Sequence, residues 1–223
     1  MGKTSGDVMN KDIVWHELFA RMKNDTCPIC SLIVDRLDSF MKSILYEGVN
    51  DPNVRATISN NEGLCNTHAY QLLALGDPLA HAIIYSDVLS TAIDKMGVLR
   101  EPVASGREKC VFCMSVEQSE STYVNSFAAF LSDEVFRIKY DESSLLCLPH
   151  FKTVQAKIKD PSVQNNFRNS TATKYRKLVG YLNEVKRKNN YQGTNEAWTD
   201  EDKSASKNVV AIINGYPGLI RKK

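Results

Sequence analysis

The sequence predicts an all-α protein made of two homologous helical modules, each closed by a Cys3His metal site, with one further helix at the C-terminus. Three observations lead to this prediction. Apolar residues recur at spacings of three and four along most of the chain, strand signals are nearly absent, and the six cysteines form one pattern that occurs twice. We expect the two modules to pack with pseudo-twofold symmetry.

The first module is predicted over residues 1–99. Its second helix is expected to stop at Gly48, and the Asp-Pro pair at residues 51–52 is expected to start the next one, because aspartate caps a helix and proline fits its first turn. A second Asp-Pro pair at residues 77–78 is expected to open a further helix. The predicted helices of this module lie near residues 13–22, 33–45, 52–58, 70–75 and 78–93.

The second module is predicted over residues 100–188 and repeats this scheme. We interpret residues 100–108 as the linker between the modules. The apolar spacing then predicts helices near residues 116–130, 145–154 and 175–185.

The C-terminal region, residues 189–223, differs in character. Residues 189–195 are polar and are predicted to form a mobile linker. Thr199 and Asp202 then form a T-x-x-D capping signature, which predicts a helix that ends at Asn214-Gly215. We expect this helix to cover a seam of the bundle.

The cysteines carry most of the functional information. Every cysteine belongs to a C-x-x-C or C-x-x-H motif, with 34 residues between the two motifs of the first copy and 33 in the second. The motifs are Cys27-Pro28-Ile29-Cys30, Cys65-Asn66-Thr67-His68, Cys110-Val111-Phe112-Cys113 and Cys147-Leu148-Pro149-His150. Asp51 and Arg55 precede Cys65 by 14 and 10 residues, and Asp133 and Arg137 precede Cys147 by the same distances. A repeat of about 80 residues indicates a duplicated module rather than a solenoid.

Each copy offers three thiols and one imidazole, a complete ligand set for tetrahedral Zn²⁺. We therefore predict two zinc ions per chain, each bound within one copy, because the spacer is long enough to leave the first motif and return to it. The predicted ligands are Cys27, Cys30, Cys65 and His68 for one ion, and Cys110, Cys113, Cys147 and His150 for the other.

Three other uses of these cysteines are conceivable. Disulfides would need an oxidising compartment, for which the N-terminal sequence shows no export signal. A thioredoxin-like redox site would need a βαβ context, which the helical pattern does not provide. An iron–sulfur cluster remains an open alternative to zinc, since three thiolates and a histidine can also hold iron.

The motifs resemble those of a prokaryotic protein family of unknown function. Members carry CPxC, a segment like ND-P-x-x-R, G-x-C-x-x-H followed by a GDPL helix, and a second CxxC…CLPH copy. Matching segments here are 27–30, 50–55, 63–68, 76–79 and 110–150, and the second copy lacks the proline, with Val111 in its place. The resemblance implies an α-helical, metal-binding prokaryotic protein over residues 13–185, and it implies no reaction.

Other features narrow the function by exclusion. A net charge of +2 gives no support for nucleic-acid binding, and no apolar run approaches the roughly 20 residues that span a bilayer. No catalytic arrangement can be assembled without taking residues from the metal motifs, and His81, on a helix after the first motifs, has no assigned role. The sequence thus favours a cytoplasmic zinc-binding interaction or adaptor protein without catalysis, whose partner is a protein or a small ligand. The alternatives are an iron–sulfur electron-transfer protein and a small-ligand binder with a cavity between the modules.

Overall fold

A computed structural model describes residues 11–22, 26–96, 110–143, 145–189 and 196–216. Within these ranges all regular secondary structure is helical, which confirms the predicted fold class. No helix in these ranges is both long enough and apolar enough to pass through a lipid bilayer. The described residues contain ten helices, namely α1 (Ile13–Arg21), α2 (Pro28–Tyr46), α3 (Pro52–Asn60), α4 (Asn66–Ala74), α5 (Pro78–Met96), α6 (Val111–Phe130), α7 (Glu134–Glu142), α8 (Leu148–Lys157), α9 (Pro161–Lys188) and α10 (Asp200–Asn214), with a 3₁₀ turn at Gly48–Asn50.

Aspartate caps start several of these helices, as the Asp-Pro pairs predicted. The carboxylate of Asp51 accepts a hydrogen bond from the backbone N–H of Asn53 at 2.8 Å, and Asp160 accepts one from Ser162 at 2.7 Å. Asp77 caps α5 through the N–H of Ala80 at 2.9 Å. These caps satisfy backbone donors that the first helical turn leaves free, so they fix where each helix begins.

The chain forms two compact units whose boundaries differ from those of the predicted modules. The described residues of Met1–Leu32 and Ser121–Pro217 form one unit, and those of Ile33–Glu120 form the other. Each unit therefore takes residues from both predicted modules, 1–99 and 100–188. Helix α2 begins in the first unit and continues into the second, whereas α6 does the opposite. The internal duplication and the pseudo-twofold arrangement remain predictions.

The first unit has an aromatic core. The ring of Phe127 lies 5.1 Å from that of Phe136 and 5.6 Å from that of Tyr140, both edge-on, and Phe167 adds a fourth ring, 5.4 Å from Tyr140. The buried hydroxyl of Tyr140 is satisfied by Thr171 at 2.6 Å. This core joins α6, α7 and α9, and α8 packs against it.

The second unit is built around α5, which packs against α3. The buried face of α5 consists of Ala80, His81 and Ile84. Leu79, Leu89 and Ile93, which the sequence pattern also assigned to this helix, are exposed instead. The unit therefore has a smaller core than the first, and its longest complete helix keeps a large apolar face in solvent.

Helix α10 packs against α9 and α8 in the first unit. The predicted capping box at its start is confirmed: the Thr199 N–H donates to the Asp202 carboxylate at 3.0 Å, and the Asp202 N–H donates to the Thr199 hydroxyl at 3.2 Å. The same carboxylate accepts a hydrogen bond from Lys188 at 2.6 Å in a buried ion pair. The predicted linkers, residues 100–108 and most of 189–195, lie outside the described residues.

Candidate metal centres

The eight predicted ligands form two groups of four, and all four motifs sit at helix N-termini. The first group, called the Cys27 cluster below, consists of Cys27, Cys30, Cys147 and His150. Cys27 directly precedes α2 and Cys147 is the N-cap of α8, so the second ligand of each motif lies in the first helical turn. The spacing of three residues thereby turns both donors of a motif to the same side.

The donor atoms of the Cys27 cluster converge on one point. Nδ1 of His150 lies 3.4 Å from the sulfur of Cys27, 3.3 Å from that of Cys30 and 3.2 Å from that of Cys147. The sulfurs of Cys30 and Cys147 are 3.7 Å apart. All four residues are buried, so the cluster is enclosed by protein.

The second group, called the Cys65 cluster below, consists of Cys65, His68, Cys110 and Cys113. Nδ1 of His68 lies 3.2 Å from the sulfur of Cys65, 3.6 Å from that of Cys110 and 3.3 Å from that of Cys113. The sulfurs of Cys65 and Cys113 are 3.6 Å apart. Three of these residues are buried and Cys113 is partly exposed.

The prediction that each ion is bound within one copy is wrong. The C-x-x-C motif of each copy meets the C-x-x-H motif of the other copy. The physical reason lies in α2, whose 19 residues carry the chain about 28 Å away from Cys30. The residues that follow fold as the 3₁₀ turn and α3 around α5 in the second unit, so Cys65 stays there.

The distances in both clusters fit a single tetrahedral ion. With zinc–sulfur bonds of about 2.3 Å and zinc–nitrogen bonds of about 2.0 Å, a tetrahedron has sulfur–sulfur edges of about 3.8 Å and sulfur–nitrogen edges of about 3.5 Å. In each cluster one sulfur–sulfur edge is 3.6–3.7 Å, and the three sulfur–nitrogen edges are 3.2–3.6 Å. All donor atoms of a cluster lie within 4.8 Å of one another. Both clusters can therefore hold a metal ion at their centre.

Electrostatics distinguish the sulfurs within the Cys27 cluster. Burial raises the pKa of Cys27 well above its ordinary value. Hydrogen bonds from the thiols of Cys27 and Cys30 lower the pKa of Cys147 far below its ordinary value, and His150 adds to this effect. The protein groups by themselves thus favour one thiolate, and a divalent cation among them would favour ionisation of the other two.

In the Cys65 cluster the protein groups also favour one thiolate, which here is that of Cys110. Burial alone would raise the pKa of Cys110, but hydrogen bonds from His68 and from backbone N–H groups, among them those of Phe112 and Cys113, lower it to about 6. Burial and the charge at Cys110 raise the pKa of Cys113. The N-terminus of α6 therefore stabilises an anionic sulfur, as a metal ligand requires.

The surroundings of the two clusters differ. Tyr175, whose hydroxyl donates to the Leu146 carbonyl at 3.0 Å, lies beside the Cys27 cluster, and burial together with the charge at Cys147 raises its pKa. In the Cys65 cluster the outer nitrogen of His68, Nε2, is buried without a hydrogen-bond partner. The side-chain oxygen of Gln71, one turn further along α4, is a buried acceptor that also lacks a partner. Sequence analysis did not consider Gln71; its position three residues after a ligating histidine was the available signal.

Three other features lie outside the clusters. His81 is buried with neither ring nitrogen partnered, and its ring faces that of Tyr85 at 6.3 Å. The guanidinium of Arg55 forms an ion pair with the carboxylate of Asp87 at 3.2 Å. The first unit also contains a cavity of about 460 Å³ between the end of α7, α9 and α10. Burial lowers the pKa of Lys174 in its wall to about 8.

Comparison with known proteins gives a family but no activity. Residues 11–218 match the family of unknown function DUF6062. The chain belongs to this family. It is 30% identical over 202 residues to an uncharacterized 23.9 kDa protein in the xynA 3' region of Caldicellulosiruptor sp. (strain Rt8B.4), covering 89% of this chain and 99% of that protein. No solved structure matches the chain.

Proposed function

We propose that this DUF6062 protein binds two structural zinc ions and acts as a cytoplasmic interaction or adaptor module without catalysis. The observation that carries the proposal is the presence of two separate sets of three cysteines and one histidine with tetrahedral spacing. Each ion would be held by one C-x-x-C motif and one C-x-x-H motif from opposite copies.

The compactness of each set favours a mononuclear ion over an iron–sulfur cluster. In a cluster of two or four irons the protein ligands bind different irons, so they are farther apart than four ligands of one ion. Here every sulfur–nitrogen distance in the two sets is 3.6 Å or shorter. Three thiolates with one imidazole are a common structural zinc set.

The ligand count favours a structural role. Catalytic zinc has three protein ligands and a fourth position for water or substrate, whereas each set here supplies four donors. The ions would tie the start of α2 to the start of α8, and the start of α6 to the start of α4. Binding energy would thus become folding energy, because the ligands of each ion come from distant parts of the chain.

The cysteines also support a reducing compartment. None of the six described cysteines forms a disulfide, and the sulfurs of Cys30 and Cys147 and those of Cys65 and Cys113 lie 3.7 Å and 3.6 Å apart, far longer than a disulfide bond of about 2.0 Å. A protein that needs six reduced cysteines for two metal ions suits the cytoplasm.

Elemental analysis with a visible absorption spectrum tests the proposal on protein purified without added metal and without oxygen. We expect about two zinc per chain and no visible absorption. A brown protein with iron and inorganic sulfide would contradict the zinc assignment. The double variant Cys27→Ser/Cys147→Ser is the control, because it should lower the zinc content to one.

A small-ligand function is the second candidate, and the cavity in the first unit favours it. Its walls combine Asp141, Lys174 and Asn208 with apolar side chains, and its volume of about 460 Å³ falls in the range of ligand sites. Native mass spectrometry of freshly purified protein would test this function. An adduct that is lost in Asn208→Leu would support it, and its absence in wild-type protein would count against it.

A further inference from the structure

The outward face of α5 carries a regular stripe of five apolar residues and Ser86. Six residues occur at alternating intervals of three and four and are all exposed, with Leu79 71%, Leu89 62%, Ile93 63% and Met96 72% exposed. Ala82 and Ser86 lie between them. A strict alternation of three and four is the seam pattern of helices that pair in coiled coils.

The stripe does not face the core of its own unit. The opposite face of α5 is the buried one, formed by Ala80, His81 and Ile84, and it packs against α3. Helix α5 is therefore apolar on two sides, and helices of that kind are normally covered on both. An exposed seam of this length marks an interaction surface.

We propose that the stripe pairs with the same stripe of a second copy of this chain, as an antiparallel helix pair. The partner in the proposed interaction role would then be a second copy of this chain. The proposal rests on that role and not on the identity of the metal.

The sizes of the side chains favour the antiparallel direction. A twofold axis between Ser86 and Leu89 would place Leu79 opposite Met96, Ala82 opposite Ile93, and Ser86 opposite Leu89. Ala82 and Ser86 would then each pack against a large side chain of the other copy, which fills the space between the two helices. A parallel pair would set alanine against alanine and serine against serine, and would leave gaps at the centre.

The charges favour a second copy as the occupant. The positions beside the seam, where coiled coils carry the charges that select a different partner, are Ile83, Tyr85, Ser90 and Ala92. Two identical helices can therefore meet without like charges facing each other across the seam. Antiparallel helices also bring opposite dipole ends together.

The area that the stripe would bury determines how tightly the proposed dimer is expected to form. Four large side chains about two-thirds exposed, with two small ones, offer several hundred Å² per copy, which is less than the roughly 800 Å² per partner of a standard interface. We therefore expect a reversible dimer that forms in the micromolar range, rather than an obligate one.

Sedimentation velocity of the full-length, zinc-loaded chain over a range of concentrations tests the proposal. The wild-type protein should shift from monomer to dimer. Leu89→Lys should weaken the dimer at least tenfold, because it places a charge in the seam. Leu73→Lys on α4, also an exposed leucine, is the matched control and should dimerise like the wild type.

A charge pair tests the register. In Ser86→Glu/Leu89→Lys, each glutamate would face a lysine of the other copy only in the antiparallel arrangement, so dimerisation should recover relative to Leu89→Lys. Failure to recover, or unchanged dimerisation of Leu89→Lys, would overturn the proposal. A monomeric wild-type protein would also overturn it and would indicate that the stripe binds a helix of another protein.

Zinc content measured on the same samples separates the two proposals. A monomer with two zinc ions rejects only the helix pair, and a dimer without zinc rejects only the metal assignment.

Discussion

The Cys27 cluster and the Cys65 cluster have the same four donors and nearly the same distances, but they lie in different surroundings. The Cys27 cluster is completely buried beside an aromatic core. The Cys65 cluster lies in the smaller unit, with Cys113 partly exposed and Nε2 of His68 unpartnered. A shared donor set therefore fixes the geometry, whereas the surrounding protein would determine how tightly an ion is bound.

The largest expected effect comes from removing a thiolate of the Cys27 cluster. Cys147→Ser should abolish one zinc site and lower the free energy of unfolding by about 4 kcal/mol, because the proposed site joins α2 to α8, which packs on the aromatic core through Phe151 and Phe167. The matched variant Cys110→Ser in the Cys65 cluster should cost less. Thermal and denaturant unfolding measure both. Equal losses would show that the two units do not differ in their dependence on metal.

The second prediction concerns the order of metal release. A chromophoric chelator should remove zinc in two phases, with the Cys65 cluster emptied at least several times faster, because the chelator can reach partly exposed Cys113. Cys147→Ser should retain only the fast phase, and Cys110→Ser only the slow phase. A single phase in wild-type protein would remove the proposed difference between the clusters.

The third prediction concerns Gln71. A histidine that binds metal through Nδ1 must donate from Nε2, and Gln71 offers an unused buried acceptor one turn away on α4. Gln71→Leu should therefore weaken zinc binding at the Cys65 cluster about tenfold. Thr153→Val, at the equivalent position after His150, is the control and should leave both affinities unchanged. Competition with a chelator of known affinity measures them.

The smallest effect is expected from the contact that holds α10 in the first unit. The hydrogen bond from Lys188 lowers the pKa of Asp202, so this contribution to stability is present above the ordinary aspartate pKa of about 3.9. It is lost as the pH falls through the lower pKa of the folded protein. Asp202→Asn should reproduce the loss at neutral pH, with faster hydrogen exchange in residues 196–216 and slightly faster zinc release from the Cys27 cluster. Asp200→Asn, on the exposed side of the same turn, should change neither.

The local features were predictable from the sequence. Each motif was expected to bring its two donor side chains together, because three residues at a helix start span one turn, and at all four motifs the two donors lie in the same cluster. The capping signature at Thr199 likewise specified the start of α10, because its two hydrogen bonds are made by residues three apart.

The long-range pairing of the motifs was not predictable from the sequence. Spacers of 34 and 33 residues allow a C-x-x-C motif to meet either C-x-x-H motif, since the local chemistry is identical in both cases. The choice depends on whether the chain returns after α2, which is decided by the packing of α3 against α5. The apolar pattern of α5 could not separate its buried face from its exposed one, because both faces are apolar.

The central claim is that each metal ion joins ligands from both copies, and zinc counts in two double variants of the full chain test it directly. Native mass spectra would be recorded after mild chelation that empties sites with three ligands. Cys27→Ser/Cys147→Ser should retain one zinc, because both substitutions fall in one cluster, and Cys27→Ser/Cys65→Ser should retain none. The opposite result, with no zinc in the first variant and one in the second, would show that each ion is bound within a single copy.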